Sequence, residues 1–190
     1  MRSDLALGLL MLVGGSELGA QASTSPRIAL RLGGGLSSAD YTCAACQIDA
    51  VTGASAFVAA THPLGRSLTA GLEATVVAAS SGNAVDAKLL GALATGGVRG
   101  SPRLPVWGTV GLGWLFWSGP GSNADGPALS LRAGVDVPVR GRVALSPYAG
   151  YVMMLGHDGP HHVQPPFTPR EGVATRLSSL QVGVGVTLSL

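Results

Sequence analysis

Charge is scarce in this sequence. Only 12% of its 190 residues are Asp, Glu, Lys or Arg, against roughly 25% in an average soluble domain, so there is too little charge to coat a water-facing surface. Lysine occurs once, at Lys88. No run approaches the roughly 20 apolar residues that a membrane-spanning helix needs. Cysteine is limited to Cys43 and Cys46, with no four zinc ligands gathered near them. What is abundant is glycine, at 29 residues, in a chain that is 46% hydrophobic. A chain this apolar, without a spanning helix, must hide its hydrophobicity in another pattern.

The first residues account for a small part of it. Arg2 precedes the apolar stretch LALGLLMLV (Leu5 to Val13), and GAQAS follows, where Ala20 and Ala22 fit a small-x-small cleavage rule. This layout predicts a secretory signal peptide over residues 1–22, too short to anchor in a bilayer. The mature domain is then 23–190, carrying 11 basic and 8 acidic groups. That excess is too small to suggest nucleic acid as a partner. Export also bears on TCAACQ: outside the cytoplasm a close Cys43–Cys46 pair is expected to be a small loop disulfide. No strand-then-helix pattern surrounds it of the kind a redox-active CxxC requires.

Most of the mature chain alternates with a period of two, the signature of half-buried strands. RIALRLGGG sets Ile28, Leu30 and Leu32 against Ala29, Arg31 and Gly33. SLTAGLEATVVAA sets Leu68, Leu72 and Val76 against Thr69, Glu73 and Thr75. LPVWGTVGLGWLFW, LSLRAGVDVPV and VALSPYAGYVMML repeat the pattern, and LQVGVGVTLSL closes the chain with it. Two further segments, 54–61 and 88–99, have strand-like length with weaker alternation and no clear facing. Eight strands of about 8 to 14 residues are long enough to cross a bilayer when tilted.

The connections alternate in length. Long or medium loops are expected at 36–53, 80–87, 118–126 and 156–175, with tight turns at 62–66, 100–103 and 138–142. Arginines 66, 99, 103, 140 and 142 cluster at the tight turns; Asp40, Asp49, Asp86, Asp125, Asp158 and Glu171 lie in the loops. The chain is thus predicted to be all-β, an eight-stranded antiparallel up-and-down transmembrane β-barrel, with short turns on the periplasmic side and longer loops outside.

A soluble lipocalin-like barrel would alternate too, but it would turn many charges outward. Here the non-apolar face is mostly Gly, Ala, Ser and Thr, which suits a narrow interior. The apolar face is then left for lipid, with Trp114, Phe116 and Tyr151 placed for an aromatic girdle; Trp107 and Trp117 fall on the opposite phase. Arg31, Glu73, Arg132 and Asp136 are the charges on the inner face. They are expected to pair into a roughly neutral polar network that fills the lumen, since eight strands leave space for little more than side chains.

With this pattern over 23–190, the sequence resembles the small eight-stranded outer-membrane barrels of Gram-negative bacteria, the OmpA-like and OmpX-like group. The resemblance implies a cell outer-membrane location, contact with outer-membrane lipid and a meeting with the barrel-assembly machinery during insertion. It implies that the final strand, with Leu180, Val182, Val184, Val186, Leu188 and Leu190, is the insertion signal. Members of the group usually end in an aromatic residue, where this chain has Leu190. The implied function is a barrel serving envelope structure, surface interaction or limited small-solute passage, non-enzymatic and without a cofactor, with the outer loops available to an extracellular ligand.

Two chemical alternatives attach to the last loop. His157, Asp158, His161 and His162 are weak metal candidates, because imidazole and carboxylate at short spacing can converge. A lipid A-modifying barrel would need His157 or His161, Ser178 or Ser179, and Glu171, without a recognisable spacing.

Overall fold

The computed structural model describes residues 28–43, 46–81, 85–101, 103–119, 122–155, 162–163 and 176–190, with side chains described for 28–39, 52–79, 88–101, 103–118, 124–155 and 177–190. The expected signal peptide therefore lies outside the described residues. So do residues 156–161 and 164–175 of the last connection.

The strands are β1 (Ala29–Cys43), β2 (Cys46–Pro63), β3 (Leu68–Ser81), β4 (Val85–Arg99), β5 (Val106–Gly119), β6 (Ser122–Val135), β7 (Val137–Arg140), β8 (Val143–Met154), β9 (His162–Val163) and β10 (Arg176–Ser189). Neighbours in sequence pair antiparallel, and β10 returns to β1. β6 and β7 form one stave interrupted at Asp136, both pairing with β8. β9 is a two-residue bridge to the start of β6. The result is a closed eight-stave barrel in which every long strand has two partners.

The register fixes its geometry. Following paired residues from Ala29 through Thr61, Gly71, Thr95, Gly111, Ser130, Val152 and Ser179 leads back to β1 at Ala39, ten residues along. An eight-strand barrel with this stagger has strongly tilted strands, at about 40° to the axis, and a bore only wide enough for side chains.

Alternation decides which face is which. Leu32, Leu72, Val76, Leu112, Leu131, Val182 and Val184 are exposed on the outer face, while Arg31, Glu73, Thr75, Ser130, Arg132 and Gln181 are buried inside. The two strands without a clear facing are now assigned. In β2, Val58 faces out and Phe57 and Ala59 face in; in β4, Leu90 and Val98 face out and Leu89 and Leu93 face in. Their outer faces are rich in Ala (54, 56, 60, 92 and 94), so polarity barely alternates and the sequence signal is faint.

Several expectations about connections are corrected. The expected loop 36–53 is mostly strand: β1 runs to Cys43, β2 starts at Cys46, and the two face each other as the last register pair. Likewise β3 and β4 extend to Ser81 and from Val85, and β5 and β6 to Gly119 and from Ser122. Apolar alternation fades along these extensions, but the hydrogen-bonded ladder continues through them. The strands are accordingly longer than expected, up to 18 residues in β2. The expected turn 138–142 shrinks to Gly141–Arg142 between β7 and β8. It is made possible by Gly141 at φ 56°, a left-handed conformation that costs other residues energy.

Candidate functional site in the barrel lumen

The lumen is the concave, residue-lined space that the fold creates, and its contents change along the axis. At the end with the short turns, the Arg31 Nη2 donates to Asp136 Oδ2 at 3.1 Å. Asp136 Oδ1 accepts from Ser146 Oγ at 2.7 Å and from Thr187 Oγ1 at 3.0 Å. These residues come from β1, the β6–β7 junction, β8 and β10, so one carboxylate ties four staves together. The Arg31 guanidinium also lies over the Trp107 ring, 4.5 Å from its centroid. A cation held against an aromatic face in a dry setting is attracted by the ring quadrupole.

At mid-lumen Arg132 crosses the bore. Its Nε donates to Glu73 Oε1 at 3.0 Å, its Nη1 to Gln181 Oε1 at 2.6 Å and its Nη2 to Thr75 Oγ1 at 2.9 Å. The guanidinium carbon stands 4.3 Å from the Phe57 ring centroid and 5.8 Å from that of Tyr148. Those two rings meet edge to face, with centroids 4.9 Å apart, a favoured aromatic geometry. Both Arg132 and Glu73 are almost completely shielded from solvent. Space for the bulky groups comes from inward glycines. A Cβ on Gly33 would run into the Phe57 ring, and one on Gly150 would stand 2.8 Å from Arg132 Nη1.

Toward the loop end the polar network gives way to an apolar layer of Val77, Leu89, Leu93, Leu115, Trp117, Val152, Met154 and Leu177. The expectation of a polar network filling the lumen is therefore corrected: polar groups occupy the turn-end half and the middle, and hydrophobic side chains occupy the loop-end half. In β5 the inward phase contains Leu115 and Trp117, and in β8 it contains Val152 and Met154. The inward phase of a strand near the loop end need not be polar, because there the neighbours across the bore can be apolar too. The signal is present in the sequence as Leu115, Trp117, Val152 and Met154 on the phase opposite to the lipid-facing one.

The four charges singled out from sequence thus meet in two pairs, Arg31 with Asp136 and Arg132 with Glu73. Sequence reasoning placed Thr75, Ser146, Tyr148, Gln181 and Thr187 on the inner face without assigning them as partners. It left Phe57 unassigned, for want of a facing in β2. Trp114 and Phe116 are exposed on the outer face near the loop end, Tyr151 is half-buried there, and Trp114 Nε1 donates to Asp125 Oδ2 at 2.8 Å. Trp107 and Trp117 are buried in the lumen.

The chemical alternatives fare differently. Ser179 is buried in the lumen and its Oγ makes no hydrogen bond; His157, His161 and Glu171 lie outside the described residues. So do Asp158 and all but the backbone of His162. Among the described residues, no three His, Cys, Asp or Glu side chains gather as a metal site would need. The backbones of Cys43 and Cys46 pair across the tip of the β1–β2 hairpin; their side chains are outside the described set. The insertion-signal residues Leu180, Val182, Val184 and Val186 are exposed on the outer face, as is Leu190, with Leu188 half-buried.

A closed eight-stave antiparallel barrel with a staggered register, a filled bore and an apolar outer face of Leu, Val and Ala defines the class: this is an outer-membrane-type β-barrel. Among solved structures the chain is similar to Neisserial surface protein A, with 16% identity over 85% of this chain and 99% of that one, at a TM-score of 0.57. It is also similar to the attachment invasion locus protein Ail of Yersinia pestis, with 10% identity over 87% of this chain and 100% of that one, at 0.47. A third match is the outer membrane protein OprG of Pseudomonas aeruginosa, with 11% identity over 85% and 96%, at 0.44. No family model matches the sequence, and no curated protein matches it either.

Proposed function

We propose that the protein resides in the cell outer membrane as a closed, non-conducting barrel that serves envelope structure or surface interaction, presenting its loop-end hairpins outside the cell. The observation that carries this reading is the occupied bore. A solute would have to displace the Arg132–Glu73–Gln181–Thr75 network and then the apolar layer around Leu115. Removing one partner of a buried ion pair strands the other, at a cost of about 3–5 kcal/mol. The staves satisfy their backbone groups by pairing round the closed ring, as a lipid environment requires. An enzymatic role and a soluble binding role are the alternatives this reading sets aside. Planar-bilayer recording on the refolded protein tests it: a flat baseline is expected, and stable single-channel steps would contradict it.

Three further proposals belong to the same reading. Residues 1–22 are removed on export, the assembly machinery reads β10 during insertion, and Cys43 and Cys46 form a disulfide at the tip of the first hairpin. Alkylation checks the last: without reductant the folded protein should gain no label at either cysteine, and labelling of both would exclude the bridge.

A further inference from the structure

Each of the three short turns pairs arginine with an exposed aliphatic side chain. The turn between β2 and β3 carries Leu64 and Arg66, and the turn between β4 and β5 carries Arg103 and Leu104. At the turn between β7 and β8 stand Val139, Arg140 and Arg142. Leu64 is 66% exposed, Leu104 63% and Val139 67%, and all five arginines at this end, Arg99 included, are exposed. Among the described residues the only acidic side chain at this rim is Asp136, which is already engaged inside the lumen by Arg31.

The rim is also tied together. Arg99 N donates to Ser67 O at 2.7 Å, Asp136 N to Pro105 O at 2.7 Å, Ser189 N to Arg142 O at 3.0 Å and Leu190 N to Ile28 O at 2.8 Å. Each turn is thereby fastened to the next stave, so the arginines are presented by a fixed ring rather than by loose loops.

Turns that faced bulk water would gain nothing from exposing Leu64, Leu104 and Val139. At the depth of lipid headgroups both halves of the pattern find a partner. Aliphatic side chains reach the acyl boundary while guanidinium groups extend to phosphate, which they bind in a planar, two-pronged fashion. Along β10, Leu180 to Leu190 rises about 25 Å for ten residue steps at this tilt, the height of the apolar band of such barrels. The turns therefore begin where the hydrocarbon ends.

We infer that the turn-end rim is a docking surface for the phosphate groups of anionic phospholipids in the surrounding leaflet. This rests on the membrane reading above, which a heat-dependent gel shift tests separately. The experiment places the folded protein in nanodiscs of equal phosphatidylglycerol and phosphatidylcholine and measures, by native mass spectrometry, which lipids stay bound on release. The wild type should retain phosphatidylglycerol preferentially. Replacing Arg103, Arg140 and Arg142 together by Gln should lower that preference about tenfold or more, since each basic group near an anionic surface contributes roughly a fivefold effect. Lys88→Gln, at the opposite end, should leave it unchanged, and soluble glycerol phosphate should not displace the lipid. Equal retention by the triple variant, with its gel shift intact, would overturn the inference. So would loss of the preference in Lys88→Gln, or release of the lipid by free glycerol phosphate.

Discussion

Arg132 carries the largest consequences of any single residue. It is held by three hydrogen bonds to two other staves, β3 and β10, and stacked on Phe57, so truncation leaves Glu73 buried without a cation. Arg132→Met is expected to destabilise the barrel by about 3–5 kcal/mol, measured by urea titration of the lipid-reconstituted protein. The double substitution Arg132→Met with Glu73→Leu should cost clearly less than the two singles added, because contacting groups are not additive. Additive losses would show that the pair does not act as a unit. Gly33 is a second sensitive position. A methyl there collides with the Phe57 ring, so Gly33→Ala should cost about 1–3 kcal/mol through overpacking, whereas Gly96→Ala, with open space around it, should be nearly silent in the same titration. These residue-level partners were only partly readable beforehand. The inward phase of Thr75 and Gln181 follows from alternation, but which of them Arg132 reaches depends on the ten-residue stagger, which no local pattern encodes.

At the scale of the element, legibility followed chemical contrast. β1, β3, β5, β6, β8 and β10 alternate Leu or Val with Gly, Ser, Thr or a charge over most of their length, and there each faces as that contrast dictates. β2 and β4 place Ala on the outer face and Phe57, Leu89 and Leu93 on the inner one, which erases the contrast and with it the facing. The hairpin extensions look like loops in sequence for a related reason: above the bilayer a strand has no apolar face to reveal it. The closing strand is the most exposed to test. Leu180, Val182, Val184 and Val186 face outward along a ladder of 14 register pairs with β1. Val184→Arg, near the middle of that face, is expected to cost about 2–4 kcal/mol, while Leu190→Arg, at the rim, should cost about 0–1 kcal/mol. Refolding yield into lipid vesicles checks the contrast, and equal losses at the two sites would place the membrane elsewhere on the barrel.

For the whole molecule, the account depends on one physical trade. A sequence with too little charge for water is stable as a barrel because lipid takes its outer face, and a narrow bore is filled by its own side chains. The layered lumen, polar at the turn end and apolar at the loop end, ties the staves together from the inside. Such a ring should resist detergent at room temperature and open only on heating. The measurement that tests this most directly is gel migration of the protein from purified outer membranes, with and without boiling. The unboiled sample is expected to run as a compact, faster band that shifts on boiling. A single unshifted band, or recovery of the protein in the aqueous fraction without detergent, would contradict the account.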